Sequence, residues 1–368
     1  MSALPPKADI RERGWKVPGR DIAVFTRGVS RQNIRHRARR RTVKAAIVPQ
    51  AGRAPVYGDF KEPAPVAGES PIAVTAAALS PVVKARASGT HYSSSGGFPI
   101  GVGIDGVGRL DDGSRVHFFL PRAPYGSMAE KVVVSSSQCT IVPDGLDDIT
   151  AAAIAIPGMS SWLALKERAD FAAGETVLVN GATGTSGRLA VRIAKYLGAK
   201  KVIATGRQAA TLQSIKALGA AETILLVENR DALENAFKEQ FAGGVDIVLD
   251  YLWGQSAESL LIARSRAGTD APIRFIQIGT ASGAKITLSG AILRSTPIEL
   301  KGSGLGSIPV NRIVRGIEEL FHAAVAGRFE IATKPVPLSE VERVWSSDGY
   351  MPRVVFTIGD QHRVICDG

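Results

Sequence analysis

Residues 176–207, TVLVNGATGTSGRLAVRIAKYLGAKKVIATGR, decide the fold of this 368-residue chain. The apolar run 177–179 is typical of a strand buried on both faces of a parallel sheet. Glycines follow at positions 181, 184 and 187, then a helical apolar pattern, and residues 201–205 predict a return strand. This order is typical of a dinucleotide-binding unit, in which backbone N–H groups of the turn face a pyrophosphate.

The end of the second strand favours one nicotinamide cofactor over the other. The adenosine ribose lies about 20 residues beyond the glycines, where a carboxylate would bind the free 2′-hydroxyl of NAD. This chain has Gly206 and Arg207 there instead. An arginine can form a charge-assisted pair with the 2′-phosphate of NADP, worth roughly 1.5–3 kcal/mol. The sequence therefore predicts NADP(H).

A glycine triplet alone could be an ordinary tight turn, but the strand–helix alternation continues beyond it. We predict further strands at residues 222–227, 245–250 and 274–279, separated by helices near 208–218, 230–241 and 256–265. Repeated units of this kind form a doubly wound parallel sheet, whose ligands bind at the carboxyl ends of the strands. The residues predicted there to contact the cofactor are Gly181, Gly184, Thr185, Ser186, Gly187, Gly206, Arg207, Tyr251, Gly279, Thr280 and Ser303.

Several segments together resemble one family, in an order that covers nearly everything from residue 43 onward. They are residues 74–81, 103–108, 125–134, 141–144, 158–162, 178–187, 244–250 and 301–303. The chain resembles a zinc-independent medium-chain dehydrogenase/reductase of the quinone oxidoreductase branch, which is enoyl-reductase-like. The resemblance implies a GroES-like β-barrel catalytic domain (residues 43–156 and 303–368), a Rossmann NADP-binding domain (residues 157–302), and a homodimer or homotetramer.

The resemblance also suggests site residues near the nicotinamide. Ser160 matches a family position at which a hydroxyl contacts the cofactor, and the alternative is a helix N-cap. Tyr92 and Tyr125 lie in segments that face the nicotinamide in the family, so we predict their hydroxyls as donors to the acceptor oxygen, with His91 or Lys84 assisting. The alternative for each tyrosine is a half-buried packing role. The family's usual Asn-Pro with a nearby aspartate is Ser80-Pro81 followed by valines here, so no donor is carried over from that motif.

Metal ligands are scarce in this sequence. It contains two cysteines, Cys139 and Cys366, and five scattered histidines. Where zinc-dependent relatives have Gly-His-Glu, this chain has Gly103-Ile104-Asp105, and isoleucine cannot coordinate a metal. We therefore predict no metal, and an acceptor that takes hydride without Lewis-acid help, either a quinone or an enone or enal.

The composition indicates a cytoplasmic protein with a small-molecule substrate. The absence of a long apolar run argues against a membrane span, and two cysteines are too few for a disulfide framework. A second hypothesis, motivated by the unremarkable acid–base residues, is a nicotinamide-dinucleotide-binding sensor or partner protein with little turnover.

The first 42 residues differ sharply from the rest. They contain twelve Lys or Arg and three acids, a net charge of +9 out of +11 for the chain. We predict that residues 1–42 form a disordered basic arm. They could be a nucleic-acid or membrane-surface tail or a targeting segment, but we favour translation from Val43, whose following residues resemble the family's first strand. Nucleic-acid binding is not expected of residues 43–368.

Overall fold

A computed structural model describes residues 41–94, 97–346 and 351–359. The predicted arm up to residue 40 and Cys366 lie outside the described residues. The strands are β1 Thr42–Val48, β2 Val56–Lys61, β3 Glu69–Ala78, β4 Ile100–Gly101, β5 Asp105–Arg109, β6 Arg115–Phe119, β7 Lys131–Ser135, β8 Cys139–Ile141, β9 Thr176–Asn180, β10 Lys201–Gly206, β11 Glu222–Leu225, β12 Ile247–Asp250, β13 Ile273–Gln277, β14 Ile298–Gly302, β15 Thr333–Pro337 and β16 Arg353–Thr357.

The helices alternate with the strands of the central region and flank the barrel. They are α1 Pro81–Ala87, α2 Asp148–Leu163, α3 Thr185–Tyr196, α4 Ala209–Lys216, α5 Arg230–Ala242, α6 Gly254–Ser265, α7 Gly290–Ser295, α8 Val310–Ala326 and α9 Val341–Trp345. Short 3₁₀ turns cover Ser136–Gln138 and Leu338–Glu340, and a π-helical turn, Ala164–Arg168, extends α2.

Six parallel strands form the nucleotide-binding sheet in the order β11-β10-β9-β12-β13-β14. The glycine-bearing strand β9 lies in the middle and is buried along its whole length, as its apolar run predicts. Val177 pairs with Val202 on one side and with Ile247 on the other. The chain therefore changes direction along the sheet beside β9, which is where doubly wound folds bind their ligands.

The remaining strands form the predicted barrel-like domain. One sheet has the order β15-β16-β3-β5-β6-β8, with β7 also paired to β3, and a second has the order β2-β1-β4. The C-terminal strand β16 pairs antiparallel with β3, Val355 opposite Ala78, so the end of the chain returns to the N-terminal half. This return brings Arg353 close to the charge of Asp105. The parallel sheet and the barrel-like domain together confirm the predicted fold class.

Helix α2 and its π-helical extension are long and apolar enough, by length and composition, to cross a membrane. However, 72% of the most apolar window is buried inside the protein. The helix packs against α3 and α8, which is the environment of a core helix. The predicted domain boundary at residue 157 falls inside α2, at Pro157, so one continuous helix joins the two domains.

Several element boundaries differ from the prediction. Strand β1 begins at Thr42, inside the predicted arm, because Thr42 pairs with Lys61. Helix α6 begins two residues early, at Gly254. Helix α1 was not predicted, although Ser80 accepts a hydrogen bond from the Val83 amide, and the proline after it is favourable in a first turn.

Candidate cofactor and substrate cleft

A cleft of about 750 Å³ opens between the carboxyl ends of the parallel strands and the barrel loops. It brings together every residue that we predicted to contact the cofactor, and also His91 and Tyr92. These lining residues are His91, Tyr92, Ser160, Gly181, Gly184, Thr185, Ser186, Gly187, Gly206, Arg207, Tyr251, Gly279, Thr280 and Ser303. The cleft volume lies within the range of small-molecule and cofactor sites.

The glycine turn is closely packed on its protein side and open on its cleft side. Gly181 has φ +91°, a conformation that other residues rarely adopt, and a Cβ there would meet the Leu252 side chain at 2.8 Å. A Cβ on Gly187 would lie 2.2 Å from the Gly181 carbonyl oxygen, whereas a Cβ on Gly184 would meet nothing within 4 Å. The turn thus leaves space for a ligand in front of Gly184, at the start of α3.

A buried polar network supports the turn from below. The Thr205 hydroxyl accepts a hydrogen bond from the Gly181 amide at 3.0 Å and donates to Asn180 Oδ1 at 2.7 Å. Asn180 Nδ2 donates to Asp250 Oδ1 at 2.8 Å, and the three side chains are fully buried. These bonds tie together the ends of β9, β10 and β12, so the turn is held before any ligand arrives.

The Asp250 carboxylate is the acidic member of this network. It accepts hydrogen bonds from the backbone amides of Leu252 and Trp253 at 3.1 Å. Burial raises the pKa of Asp250 to about 6, against the opposing effect of the hydrogen bonds from Asn180 and these amides. Trp253 has φ +58°, a strained value for a non-glycine residue that this carboxylate helps to hold.

The end of β10 holds Gly206 and Arg207, the two residues from which we predict NADP(H) instead of NAD(H). Gly206 is buried against Thr183, and Arg207 is exposed at the rim of the cleft. Its guanidinium is placed to meet a ligand group in solvent rather than a buried one.

On the opposite side, Ser160 lies in the last turn of α2, so the alternative role of N-cap is wrong. Its hydroxyl donates to the Pro157 carbonyl oxygen at 2.7 Å and lies 3.4 Å from the Tyr251 hydroxyl. Because the Ser160 proton is engaged by its own helix, its lone pairs are available to accept a bond from a ligand. Burial raises the pKa of Tyr251 to about 12, so that phenol keeps its proton at neutral pH.

The sequence reasoning missed Arg353, the first residue of β16. Its side chain lines the cleft and is only 4% exposed, and its Nε and Nη2 atoms are buried without a hydrogen-bond partner among the described residues. Burial lowers the pKa of Arg353 to about 10, and the nearby Asp105 charge opposes that shift. A buried cation with unused donors is costly unless a ligand satisfies it. The available signal was a lone arginine opening the apolar strand RVVF.

The loop after α1 forms the opposite wall. The His91 and Tyr92 rings lie 4.1 Å apart, centroid to centroid. The Tyr92 hydroxyl accepts a hydrogen bond from the Leu305 amide at 2.9 Å, so this tyrosine joins two loops on either side of the cleft. Apolar side chains complete this end: Val82, Ile104, Ile156, Met159, Leu163 and Ile308.

Tyr125, predicted as a donor together with Tyr92, does not line this cleft. It lies in an adjacent groove on the other side of Ile104, where its ring meets Phe60 edge-on at 5.8 Å. The reason is the close packing of its neighbours, since a Cβ on Gly126 would lie 2.2 Å from the Val102 carbonyl oxygen. We therefore leave Tyr125 out of the proposed mechanism.

The donor atoms near the cleft do not fit a zinc ion. Asp105 and His117 form a buried pair, Oδ2 to Nε2 3.2 Å, but in the part of the chain that the structure describes no three His, Cys, Asp or Glu side chains are grouped to hold a metal. A catalytic zinc site needs three protein ligands. Cys139 is partly buried elsewhere, and burial raises its thiol pKa to about 11.

Comparisons with known proteins agree with this architecture. Residues 187–320 match the family described as zinc-binding dehydrogenase. The chain is 32% identical over 352 residues to the probable NADPH-dependent quinone reductase tdiC of Emericella nidulans, covering 83% of this chain and 96% of that protein.

Solved structures show the same fold. The quinone oxidoreductase from Thermus thermophilus, solved with and without NADPH, has a TM-score of 0.69 and 25% identity, covering 86% of this chain and 100% of that one. A quinone oxidoreductase from Pseudomonas syringae pv. tomato has a TM-score of 0.72 and 22% identity over 86% of this chain and 99% of that one. The chain belongs to the quinone oxidoreductase branch of the medium-chain dehydrogenase/reductase family.

Proposed function

We propose that this protein is an NADPH-dependent oxidoreductase that reduces a quinone, or an α,β-unsaturated carbonyl, without zinc. One observation carries the proposal. A single cleft joins a preformed glycine turn and Arg207 to an apolar chamber walled by His91 and Tyr92. The relative from Emericella nidulans is named as NADPH-dependent, in agreement with the cofactor predicted from Arg207.

Different residues of the cleft bind different parts of the cofactor. Arg207, exposed at the end of β10, pairs with the 2′-phosphate. The open space before Gly184 would hold the pyrophosphate, and the first amides of α3 would supply hydrogen-bond donors there. Arg353 Nε and Nη2, which have no hydrogen-bond partner among the described residues, donate to phosphate oxygens or to the ribose. Both features fit an anionic dinucleotide. The space before Gly184 has room for a phosphate, and a buried cation with unused donors, such as Arg353, is costly without an anion.

The nicotinamide end is held between α2 and β12. NADPH, when bound, supplies a hydride from its nicotinamide ring. The Ser160 hydroxyl accepts a hydrogen bond from the carboxamide, and Tyr251 supports Ser160 from behind. The apolar side chains Val82, Met159 and Ile308 exclude water and favour a flat apolar acceptor beside the ring.

Acceptor chemistry follows from the groups that this chamber offers. The donor set does not fit zinc, and the chamber provides hydrogen-bond donors in His91 and Tyr92. Quinones and enones suit it because they accept hydride at carbon or oxygen and delocalise the resulting charge. We also propose that the protein acts in the cytoplasm as a homodimer or homotetramer.

Anaerobic consumption of NADPH, followed by its near-ultraviolet absorbance with ortho- and para-quinones, short enals and a simple ketone, tests the proposal. We expect turnover with quinones, slower turnover with enals, and none with the ketone. Tight NADPH binding without consumption by any acceptor would contradict the proposal and support a sensor with little turnover.

A further inference from the structure

We propose that Arg86 and Ser93 hold His91 as a neutral imidazole whose one N–H is on Nε2, and that this N–H polarises the acceptor oxygen during hydride transfer. His91 is then a catalytic residue, and Arg86 and Ser93 are positioning residues. The inference rests on the proposed function and names the group that acts on the substrate.

A directional chain of hydrogen bonds fixes the tautomer. Arg86 Nη1 donates to the Ser93 carbonyl oxygen at 2.7 Å and to Ser93 Oγ at 2.6 Å. The Ser93 backbone amide donates to His91 Nδ1 at 3.1 Å, and Ser93 Oγ lies 2.8 Å from the same nitrogen. Because an amide can only donate, Nδ1 is an acceptor and carries no proton. The proton of the neutral ring is therefore on Nε2.

The surrounding charge keeps this ring neutral. Burial and the Arg86 guanidinium lower the pKa of His91 from its ordinary value. The other titratable side chain against the ring is the phenol of Tyr92. The facing loop, residues 302–307, contains only Gly, Ser and Leu. No described carboxylate pairs with His91 to favour the imidazolium, so the charged form has no local support.

The hydrogen bonds of the ring leave Nε2 as the nitrogen available to an acceptor. His91 lines the cleft and stacks on Tyr92, whose hydroxyl is tied to Leu305 on the far wall. Among the described residues, His91 Nε2 has no hydrogen-bond partner, and Nδ1 is already occupied. The Nε2–H group can therefore donate a hydrogen bond to a ligand oxygen in the chamber.

A neutral donor stabilises charge without giving up its proton. Hydride brings two electrons to the quinone, NADPH becomes NADP⁺, and the new oxyanion accepts the Nε2–H bond. Water then protonates the oxyanion to complete the hydroquinone, and the imidazole is unchanged. An enone follows the same course, with hydride adding to the β-carbon and water protonating the enolate.

The first test replaces the donor. His91→Phe keeps a ring without an N–H, and we expect kcat with a para-quinone to fall about 100-fold while the NADPH Kd is unchanged. His91→Gln places an amide N–H near the Nε2 position, so it should recover most of that loss. A kcat of His91→Phe equal to that of the wild type would overturn the inference while leaving the proposed function intact.

The second test addresses the positioning residues. Arg86→Gln removes one of the two causes that lower the pKa of His91 and leaves burial, the larger one. The loss of kcat that accompanies charging of the ring should therefore occur at a higher pH than in the wild type. Lys216→Gln, a change of the same charge on the surface of α4, should leave the profile as in the wild type. An unaltered profile in Arg86→Gln would contradict the positioning role.

A third measurement does not depend on turnover. Nitrogen-15 NMR of histidine-labelled protein, with His91→Phe for assignment, should show Nδ1 unprotonated and Nε2 protonated at neutral pH. Ser93→Ala keeps the backbone amide that donates to Nδ1 and should retain this pattern. An imidazolium, or a proton on Nδ1, would overturn the inference whatever the enzyme reduces. Absence of wild-type turnover with every acceptor would instead overturn the proposed function, and the catalytic role of His91 with it.

Discussion

The two ends of the cleft are built differently. The cofactor end rests on fully buried side chains, Asn180, Thr205 and Asp250, and on backbone contacts that leave no room for a Cβ at Gly187. The substrate end is a loop near the surface, in which Tyr92 is 69% exposed and most hydrogen bonds join residues close in sequence. A pyrophosphate has one shape, so its site can be rigid, whereas a loop can adjust to acceptors of different outline.

This difference predicts where substitutions act. Changes in the buried contacts of the cofactor end should alter the free energy of unfolding as well as binding, because these contacts also stabilise the fold. Changes at the substrate end should alter catalysis with little effect on stability. The following experiments test that division, from the largest expected effect to the smallest.

The largest effect is expected at Gly187, with Gly184 as its matched control. Gly187→Ala puts a Cβ 2.2 Å from the Gly181 carbonyl oxygen, so the turn must move, and we expect a loss of about 3 kcal/mol in unfolding free energy. Gly184→Ala meets nothing within 4 Å, so its stability should stay within about 0.5 kcal/mol while NADPH binding weakens.

Urea unfolding of the two variants without cofactor, and fluorescence titration with NADPH, provide the measurements. Equal stabilities for both alanine variants would show that the turn is not the rigid element described above. Unchanged NADPH affinity in Gly184→Ala would show that the pyrophosphate binds elsewhere.

Arg353 and Arg207 are expected to bind different parts of the cofactor. NADPH and NADH share the pyrophosphate, and only NADPH has the 2′-phosphate. Arg353→Met should weaken NADPH and NADH by a similar factor, about tenfold or more, because both contain the pyrophosphate. Its unfolding free energy should change little, since the buried cation removed has two donor atoms without a hydrogen-bond partner among the described residues, and Asp105 keeps His117. Arg207→Ala should weaken NADPH alone, by about tenfold for an exposed pair.

Affinities of each variant for both cofactors decide between these outcomes, with Lys238→Ala on α5 as a control for loss of one exposed charge. An unchanged ratio of NADPH to NADH affinity in Arg207→Ala would contradict the assigned cofactor preference. A selective loss of NADPH in Arg353→Met would show that the 2′-phosphate binds at Arg353, away from the end of β10.

The smallest effect concerns Asp250 and pH. Burial raises its folded-state pKa to about 6, so the folded protein binds this proton more tightly than the unfolded chain does. The resulting stability is present at low pH and is lost as the pH rises through about 6. Between about pH 7 and about pH 5 the wild type should gain about 1 kcal/mol relative to Asp250→Asn, which cannot titrate.

Urea unfolding of both proteins at several pH values between about 5 and about 8 measures this difference, because the titration of all other groups cancels between them. A difference in unfolding free energy that is constant across this range would show that the carboxylate is not desolvated.

The elements of this protein that its sequence predicts are those that depend on residues close together in the chain. The glycine turn and the alternation of strands and helices follow from apolar periodicity and from glycine spacing, and the first strand of the barrel follows from the family resemblance. All predicted cofactor residues line one cleft because parallel strands place their carboxyl ends at the same edge. The family and fold predictions are confirmed by the comparisons, and the catalytic residues stay predictions.

The sequence by itself determined the strand–turn–helix unit, its cofactor class and the scarcity of metal ligands, since each depends on neighbouring residues. Only the tertiary structure decided which side chains reach the cleft. Arg353 enters it because β16 pairs with β3, a strand from the N-terminal half of the chain, whereas Tyr125 is turned aside by the packing of Gly126 on Val102. Strand pairings between segments distant in the sequence depend on packing throughout the core, so local sequence patterns do not predict them.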